Sequence, residues 1–299
     1  MQFGQYLKLC RKRYSLTQED LVQELYNFND VFKGLDTRTL IRWEHGITQP
    51  TLKKQVFVIQ ALKKFSTHVF PCLYNQKNIE KNLCKIGIEN LIGNSKEHIM
   101  NFPDNIFSLK NINICQIYSH DNIDFILHIS QLIFKGLTSN YFNLDVDNLK
   151  TFSLDYSNSF LIAEIDNQFL GMFFSLRLKL QSFNKLLTFE MSVDQLTDED
   201  FANYEEEASI FLVSVFAYNE KIAMLLYIKF YAHIIANQNT IINIGTTTLL
   251  NGGKKLVEKM HLLHLRDKKY KGKLLSAYSA SLEEVLLNED ILKIIFKTV

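Results

Sequence analysis

Thr37, Arg38, Ile41 and Arg42 share one face of a helix drawn through residues 37–45. Each guanidinium there offers a planar fork of donors that fits the N7 and O6 acceptors of guanine, and the Thr and Ile methyl groups fit the methyl of thymine. The chemistry open to such a face is readout of base edges in a DNA major groove. Leu40 and Trp43, three residues apart, point the other way with Leu35 and are assigned to a core. Asp36 precedes this helix as an N-cap, and Gly46 follows it as a glycine just past the C-terminus.

Other elements must hold that face in place. Phe3, Leu7, Cys10 and Tyr14 form one stripe of a first helix, with Lys8, Arg11 and Lys12 opposite. A second helix opens at Thr17, whose hydroxyl can accept from the amide of Asp20, and it buries Leu21, Val22 and Leu25. Pro50 ends the loop after the Arg-bearing helix. A fourth helix over 51–64 is expected to turn Leu52, Val56, Ile59 and Leu62 inward. Residues 1–66 hold eleven Lys/Arg against six Asp/Glu, an excess of five positive charges in a chain whose net charge is +1. A small basic unit on a mildly acidic body suits a nucleic-acid reader joined to something else.

The segments TQEDLVQEL (17–25) and GLDTRTLIRWEHGITQP (34–50) resemble the helix-turn-helix of phage-repressor (Xre) type regulators. That resemblance implies a DNA-binding transcriptional regulator. It implies Gln18 at a phosphate or base, Thr37, Arg38, Thr39, Ile41 and Arg42 as recognition-helix contacts, and Arg11, Thr48, Gln49 and Lys53 at backbone phosphates. The partner is then double-stranded DNA, read by a homodimer at half-sites ~34 Å apart or a multiple of that. One departure stands out: YNFNDVFK, between Leu25 and Gly34, adds about eight residues to the family's tight turn. The insertion 26–33 either lengthens the second helix or forms a loop.

Three parts are expected: the helical domain 1–66, a partly helical linker 67–108 and an α/β domain 109–299. The linker is polar and holds Pro71 and Pro103. In the body, strands are read over 111–119, 160–180 (a hairpin turning at Asp166-Asn167), 208–217, 240–247, 261–267 and 273–279. Helices are read over 120–136, 145–154, 219–236, 252–260 and 282–297, with 181–207 as an insertion. The fold class is therefore α plus α/β: an all-α domain of four to five helices joined to a mixed-sheet domain with helices on its faces. FLIAEIDNQFLGMFFSLRL, the strand SIFLVSVFA running into a helix, and NGGKKLVEKMHLL resemble the GNAT N-acetyltransferase fold.

Active members of that family carry a Gln/Arg-x-x-Gly-x-Gly/Ala loop, whose amides meet the pyrophosphate of acetyl-CoA at a helix N-terminus. Here the stretch is Asn219-Glu220-Lys221-Ile222-Ala223-Met224, with bulky side chains in place of glycine and an added carboxylate. No catalytic base or acid is assigned, and acetyl transfer is expected to be lost or altered. Tyr218, Asn219, Lys221, Ala223 and Asn251 remain as ligand candidates, with an acyl-CoA or another small molecule, or a protein partner, as effector. The alternative is an acyl-CoA-dependent acyltransferase that uses the helix-turn-helix for targeting.

Composition sets outer bounds. An apolar fraction of 47% with 22% charged residues suits a globular chain, and 11 Gly with 3 Pro excludes a collagen-like one. The run from Ile222 to Ala236, interrupted by Lys229, is shorter than the ~20 apolar residues of a membrane span. The N-terminus lacks the apolar core of a signal peptide. A cytoplasmic protein without a membrane partner is expected. Cys10, Cys72, Cys84 and Cys115 fit no zinc or disulfide spacing and read as separate reduced thiols. His261 and His264 lack a visible third ligand, so no metal is expected.

Overall fold

The computed structural model describes residues 1–73, 112–120, 123–138, 145–249, 253–254, 257–258, 260–270 and 272–296. Most of the expected linker, together with Cys84 and Asn251, lies outside the described residues. The chain forms two compact units. One comprises residues 1–90, 231–239 and 286–299, and the other 91–230 and 240–285. The α plus α/β class read from the sequence is the observed one.

The first unit opens with four helices: α1 (Phe3–Arg13), α2 (Gln18–Phe28), α3 (Thr37–Glu44) and α4 (Leu52–Leu62). Helix α2 begins with the Thr17–Asp20 capping box, which satisfies amide donors that the first turn leaves without intrahelical partners. The inserted residues do both things open to them. They extend α2 to Phe28, then form a short 3-10 turn at Asp30–Phe32 that buries Phe32. Helix α1 lies hard against α3: a Cβ on Gly4 would stand 1.8 Å from the Trp43 carbonyl oxygen. Helix α4 buries Val58, Ile59, Ala61 and Leu62. Leu52 and Val56, expected to face inward, are only half-buried, while Gln55 beside them is buried and donates to the Pro50 carbonyl at 3.0 Å.

Residues distant in sequence complete this unit. Phe296 meets Phe3, Tyr6 and Phe70 at ring-centroid distances of 5.2, 4.9 and 6.2 Å. Gln238 accepts from the Phe70 N–H at 2.6 Å and donates to the Phe70 and Leu73 carbonyls at 3.2 and 2.6 Å. A buried side-chain amide that finds backbone partners on both its ends is fully used, as burial demands.

The second unit is built on a seven-stranded sheet in the order β1-β2-β3-β4-β5-β7-β6. The strands are β1 (Asn113–Gln116), β2 (Ser159–Ile165), β3 (Gln168–Leu178), β4 (Ala208–Ala217), β5 (Ile241–Thr248), β6 (Leu263–Tyr270) and β7 (Lys273–Ser281). Among the described residues, β4 and β5 alone pair in parallel. The β2–β3 hairpin turns at Asp166 and Asn167, both at positive φ (48° and 62°), the backbone of a two-residue turn that matches strand twist. One parallel pair beside antiparallel ones makes this a mixed sheet, as read from the sequence.

Helices α5 (Ile123–Thr138) and α6 (Val146–Leu154) join one face of the sheet, where Ile126, Leu149 and Phe152 cluster with Phe160, Ile162, Met172 and Phe174. The expected insertion 181–207 corrects to a helix, α7 (Leu180–Leu187), followed by two 3-10 turns. Phe183, Leu186 and Leu187, at helical spacing, join the same cluster. On the opposite face Phe173 meets Phe230 and Tyr227 of α8 (Glu220–Ala236) at 4.5 and 5.3 Å. The terminal helix expected over 282–297 is two: α9 (Leu282–Leu286) and α10 (Glu289–Ile295). They break at Asn288, whose side chain accepts from the Ile291 N–H and starts the second helix afresh. No helix among the described residues is long and apolar enough to cross a membrane.

Candidate functional site

The first candidate is the outer face of α3. Asp36 caps the helix by accepting from the Thr39 N–H at 2.7 Å, and that bond holds its carboxyl below the usual range. Trp43 is 5% exposed and Leu40 fully buried, so the helix is anchored by its inner side. Arg38 and Arg42 are exposed, and Thr37, Thr39 and Ile41 are half-buried beside them. The five recognition-helix candidates thus share one short helix, with both guanidiniums outward. Lys53 is exposed on α4, and Thr48 and Gln49 are half-buried in the loop before it. Gln49 keeps its Nε2 buried with no acceptor among the described residues.

Beneath this face lies a carboxylate that sequence reasoning passed over. Glu44 ends α3 with its side chain wholly buried. It accepts from Arg11 Nε and Nη2 at 2.5 and 3.0 Å and from Gln18 Nε2 at 3.1 Å. Arg11 Nη1 also donates to the Leu16 carbonyl at 3.0 Å. Burial pushes the Glu44 carboxyl up, but the bonds from Arg11 and Gln18 and the Arg11 charge outweigh it and hold the group below its ordinary 4.5. Arg11 and Gln18, two of the residues expected at DNA, thus bond Glu44 and tie α1 and α2 to the end of α3. A buried charge needs a partner, and Glu44 sits where these two side chains can supply one.

The second candidate is a fork in the sheet. The β4–β5 pairing ends at Leu212 and Thr246. Beyond it, among the described residues, β4 runs on to Ala217 paired with β3, while β5 runs on to Thr248 paired with β7. The Thr246 hydroxyl donates to the Leu212 carbonyl at 2.7 Å and closes the base of the fork. Ser214, Val215 and Phe216, on the open stretch of β4, are half-buried. Strand edges parted in this way offer backbone donors and acceptors to an extended amide-bearing chain.

The start of α8, just past β4, is organised differently from a phosphate cradle. The Asn219 side chain accepts from the Ile222 N–H at 3.0 Å, and its carbonyl accepts from the Ala223 N–H. Ile222 is buried against β3, where a Cβ on Gly171 would come within 3.0 Å of its Cγ2. An amide that an anion would use is therefore already taken by the chain's own cap, and Glu220 adds a negative charge in the first turn. The residues present do not fit a pyrophosphate. Of the ligand candidates, Tyr218 and Lys221 are half-buried, Asn219 and Ala223 are buried, and Asn251 lies outside the described residues.

Two further buried polar groups were not singled out in the sequence. Arg177 is fully buried and donates to the Asn203 and Glu206 carbonyls and to Thr240 Oγ1. Glu164 pairs with His120 Nε2 at 2.7 Å and accepts from Asn113 Nδ2 at 3.0 Å. Both bind segments that lie far apart in sequence, which leaves no local pattern to read. The expected separation of the thiols also needs correction: Cys10 and Cys72 lie with their sulfurs 3.4 Å apart.

No protein-family model matches the chain, and no curated protein matches it. Solved structures that it resembles include an acetyltransferase from Streptococcus agalactiae 2603, at 9% identity and a TM-score of 0.38, over 58% of this chain and 99% of that one. A probable acetyltransferase from Staphylococcus epidermidis ATCC 12228 is 14% identical, with a TM-score of 0.35, over 57% of this chain and 99% of its own. The AHL synthase LasI is 14% identical, with a TM-score of 0.39, over 63% of this chain and 95% of its own.

Proposed function

We propose that this protein is a sequence-specific DNA-binding regulator of the cytoplasm, with an Xre-type helix-turn-helix in its first unit and a sensing or dimerising body in its second. One observation carries this reading: α3 buries its indole and turns Arg38 and Arg42 outward. Such a helix can enter a major groove with bidentate donors foremost. The buried Arg11–Glu44–Gln18 group supports it by fixing α3 against α1 and α2 without using the outward face. A homodimer on an inverted repeat supplies the second half-site that one short helix needs.

The test is selection of bound sequences from random double-stranded DNA by the full chain, followed by fluorescence anisotropy on the selected site. Arg38→Ala and Arg42→Ala are each expected to weaken binding by about 1–3 kcal/mol. If both variants bind the selected site as the unaltered chain does, the reading is wrong.

A second reading is favoured by the fork between β4 and β5, which suits an extended acyl-bearing amide chain. In it the body acts on an acyl thioester and the helical unit targets it. The named activities of the solved structures lean the same way. The capped start of α8 opposes it for acyl-CoA itself. Isothermal titration with acetyl-CoA separates the two: binding together with transfer to an amine panel would establish the enzyme.

A further inference from the structure

We propose that Cys10 and Cys72 form a redox-modification site, a dithiol that a hydroperoxide converts to an intramolecular disulfide. Cys10 lies on α1 with its side chain buried, and Cys72 is half-buried in the segment after α4. They are 62 residues apart in sequence, yet Cys10 Sγ donates to Cys72 Sγ at 3.4 Å. A disulfide has its sulfurs about 2.05 Å apart, so bond formation needs them to close by about 1.4 Å.

The two thiols differ in the way such a pair requires. Cys72 receives the hydrogen bond from Cys10 and lies near the Arg13 guanidinium; both favour its thiolate and lower its pKa against the opposing effect of burial. The hydrogen bond to Cys72 and burial together keep Cys10 protonated. The accessible sulfur is thus the nucleophile, and the sheltered one resolves.

The chemistry balances with hydrogen peroxide as oxidant. The Cys72 thiolate attacks one peroxide oxygen, the O–O bond breaks, and the departing hydroxide takes a proton and leaves as water. Cys72 is now a sulfenic acid. Cys10 Sγ then attacks that sulfur, the S–O bond breaks, and the leaving hydroxide takes the Cys10 proton as a second water. Each sulfur gives up one electron, and one peroxide is reduced to two waters. The product links α1 to the segment whose Phe70 and Leu73 are held by Gln238. None of this depends on what the outer face of α3 binds.

The experiment treats the reduced full chain with hydrogen peroxide, blocks remaining thiols with N-ethylmaleimide and maps the non-reduced peptides by mass spectrometry. The expected result is a peptide pair joined through Cys10 and Cys72, formed in the monomer and reversed by dithiothreitol. In Cys10→Ser, dimedone is expected to trap Cys72 as its sulfenic acid. In Cys72→Ser, a change at a half-buried position, Cys10 is expected to stay unmodified under the same treatment. The proposal is overturned if Cys72 in the unaltered chain stays reduced, or passes to sulfinic acid, with no Cys10 linkage. Oxidation of Cys10 in Cys72→Ser as fast as in the unaltered chain overturns it equally.

Discussion

Two helix starts in this protein are closed by the same device and end with opposite properties. Asp36 caps α3 and Asn219 caps α8, each by a short side-chain oxygen that accepts from a backbone amide in the first turn. In α3 the groups proposed to read DNA are side chains further along, so the cap leaves that face unobstructed and fixes the start of the helix. In α8 the working groups of an anion site would be the amides themselves, and the cap removes one from use. The same local stabilisation is compatible with the proposed readout by side chains and works against phosphate binding by backbone.

The sharpest way to break this comparison is to remove what fixes α3. Arg11→Ala leaves the Glu44 carboxylate buried without its cation, a change that typically costs about 3–5 kcal/mol. Chemical denaturation should show that loss, while the molecules that remain folded should keep their affinity for a selected DNA site. Lost affinity in the folded fraction would return Arg11 to the DNA contacts. Arg38→Ala should do the converse: about 1–3 kcal/mol lost from DNA binding, with the melting temperature nearly unchanged. A large drop in melting temperature would mean that the side chain holds the fold instead.

The start of α8 is expected to respond more weakly. Asn219→Ala removes a cap, at a cost typically of about 0.5–2 kcal/mol, measurable by urea unfolding. Inorganic phosphate should give the variant no added stability, because Ile222 and Glu220 still occupy the turn; stabilisation by phosphate would show that the cap alone closes the site.

The smallest effect is on pH dependence. The Glu44 carboxyl is lowered in the folded state, so its contribution is complete above the ordinary value of 4.5 and is lost as the pH falls through the folded value. Stability should therefore decline on the acid side below 4.5, and Glu44→Gln should flatten that decline. An identical acid profile in the variant would remove Glu44 from the account.

The legible parts of the sequence were those with local causes. Thr17 with Asp20, Asp36, Gly46 and the Asp166-Asn167 turn each act within a few residues, and each marks an element that the structure contains. The strand 208–217 is legible at its observed ends because only Ser209 and Ser214 interrupt its apolar run between the acidic stretch before it and Asn219 after it. What stayed hidden depends on distant partners. Glu44 looked like any helix carboxylate until Arg11 and Gln18, 33 and 26 residues away, closed on it. Two thiols 62 residues apart carry no spacing signal. Helix α7 was passed over because its apolar positions are embedded in a polar stretch, and only the sheet cluster makes Phe183 and Leu187 core. The fork was hidden as well, since it is a matter of where pairing stops.

Phe296 packs among Phe3, Tyr6 and Phe70, and Gln238 holds the residues around Phe70. During synthesis, residues 1–73 leave the ribosome long before either partner exists. The aromatic centre of this unit can therefore close only after translation has passed residue 296, and a growing chain carries the four helices without their last supports.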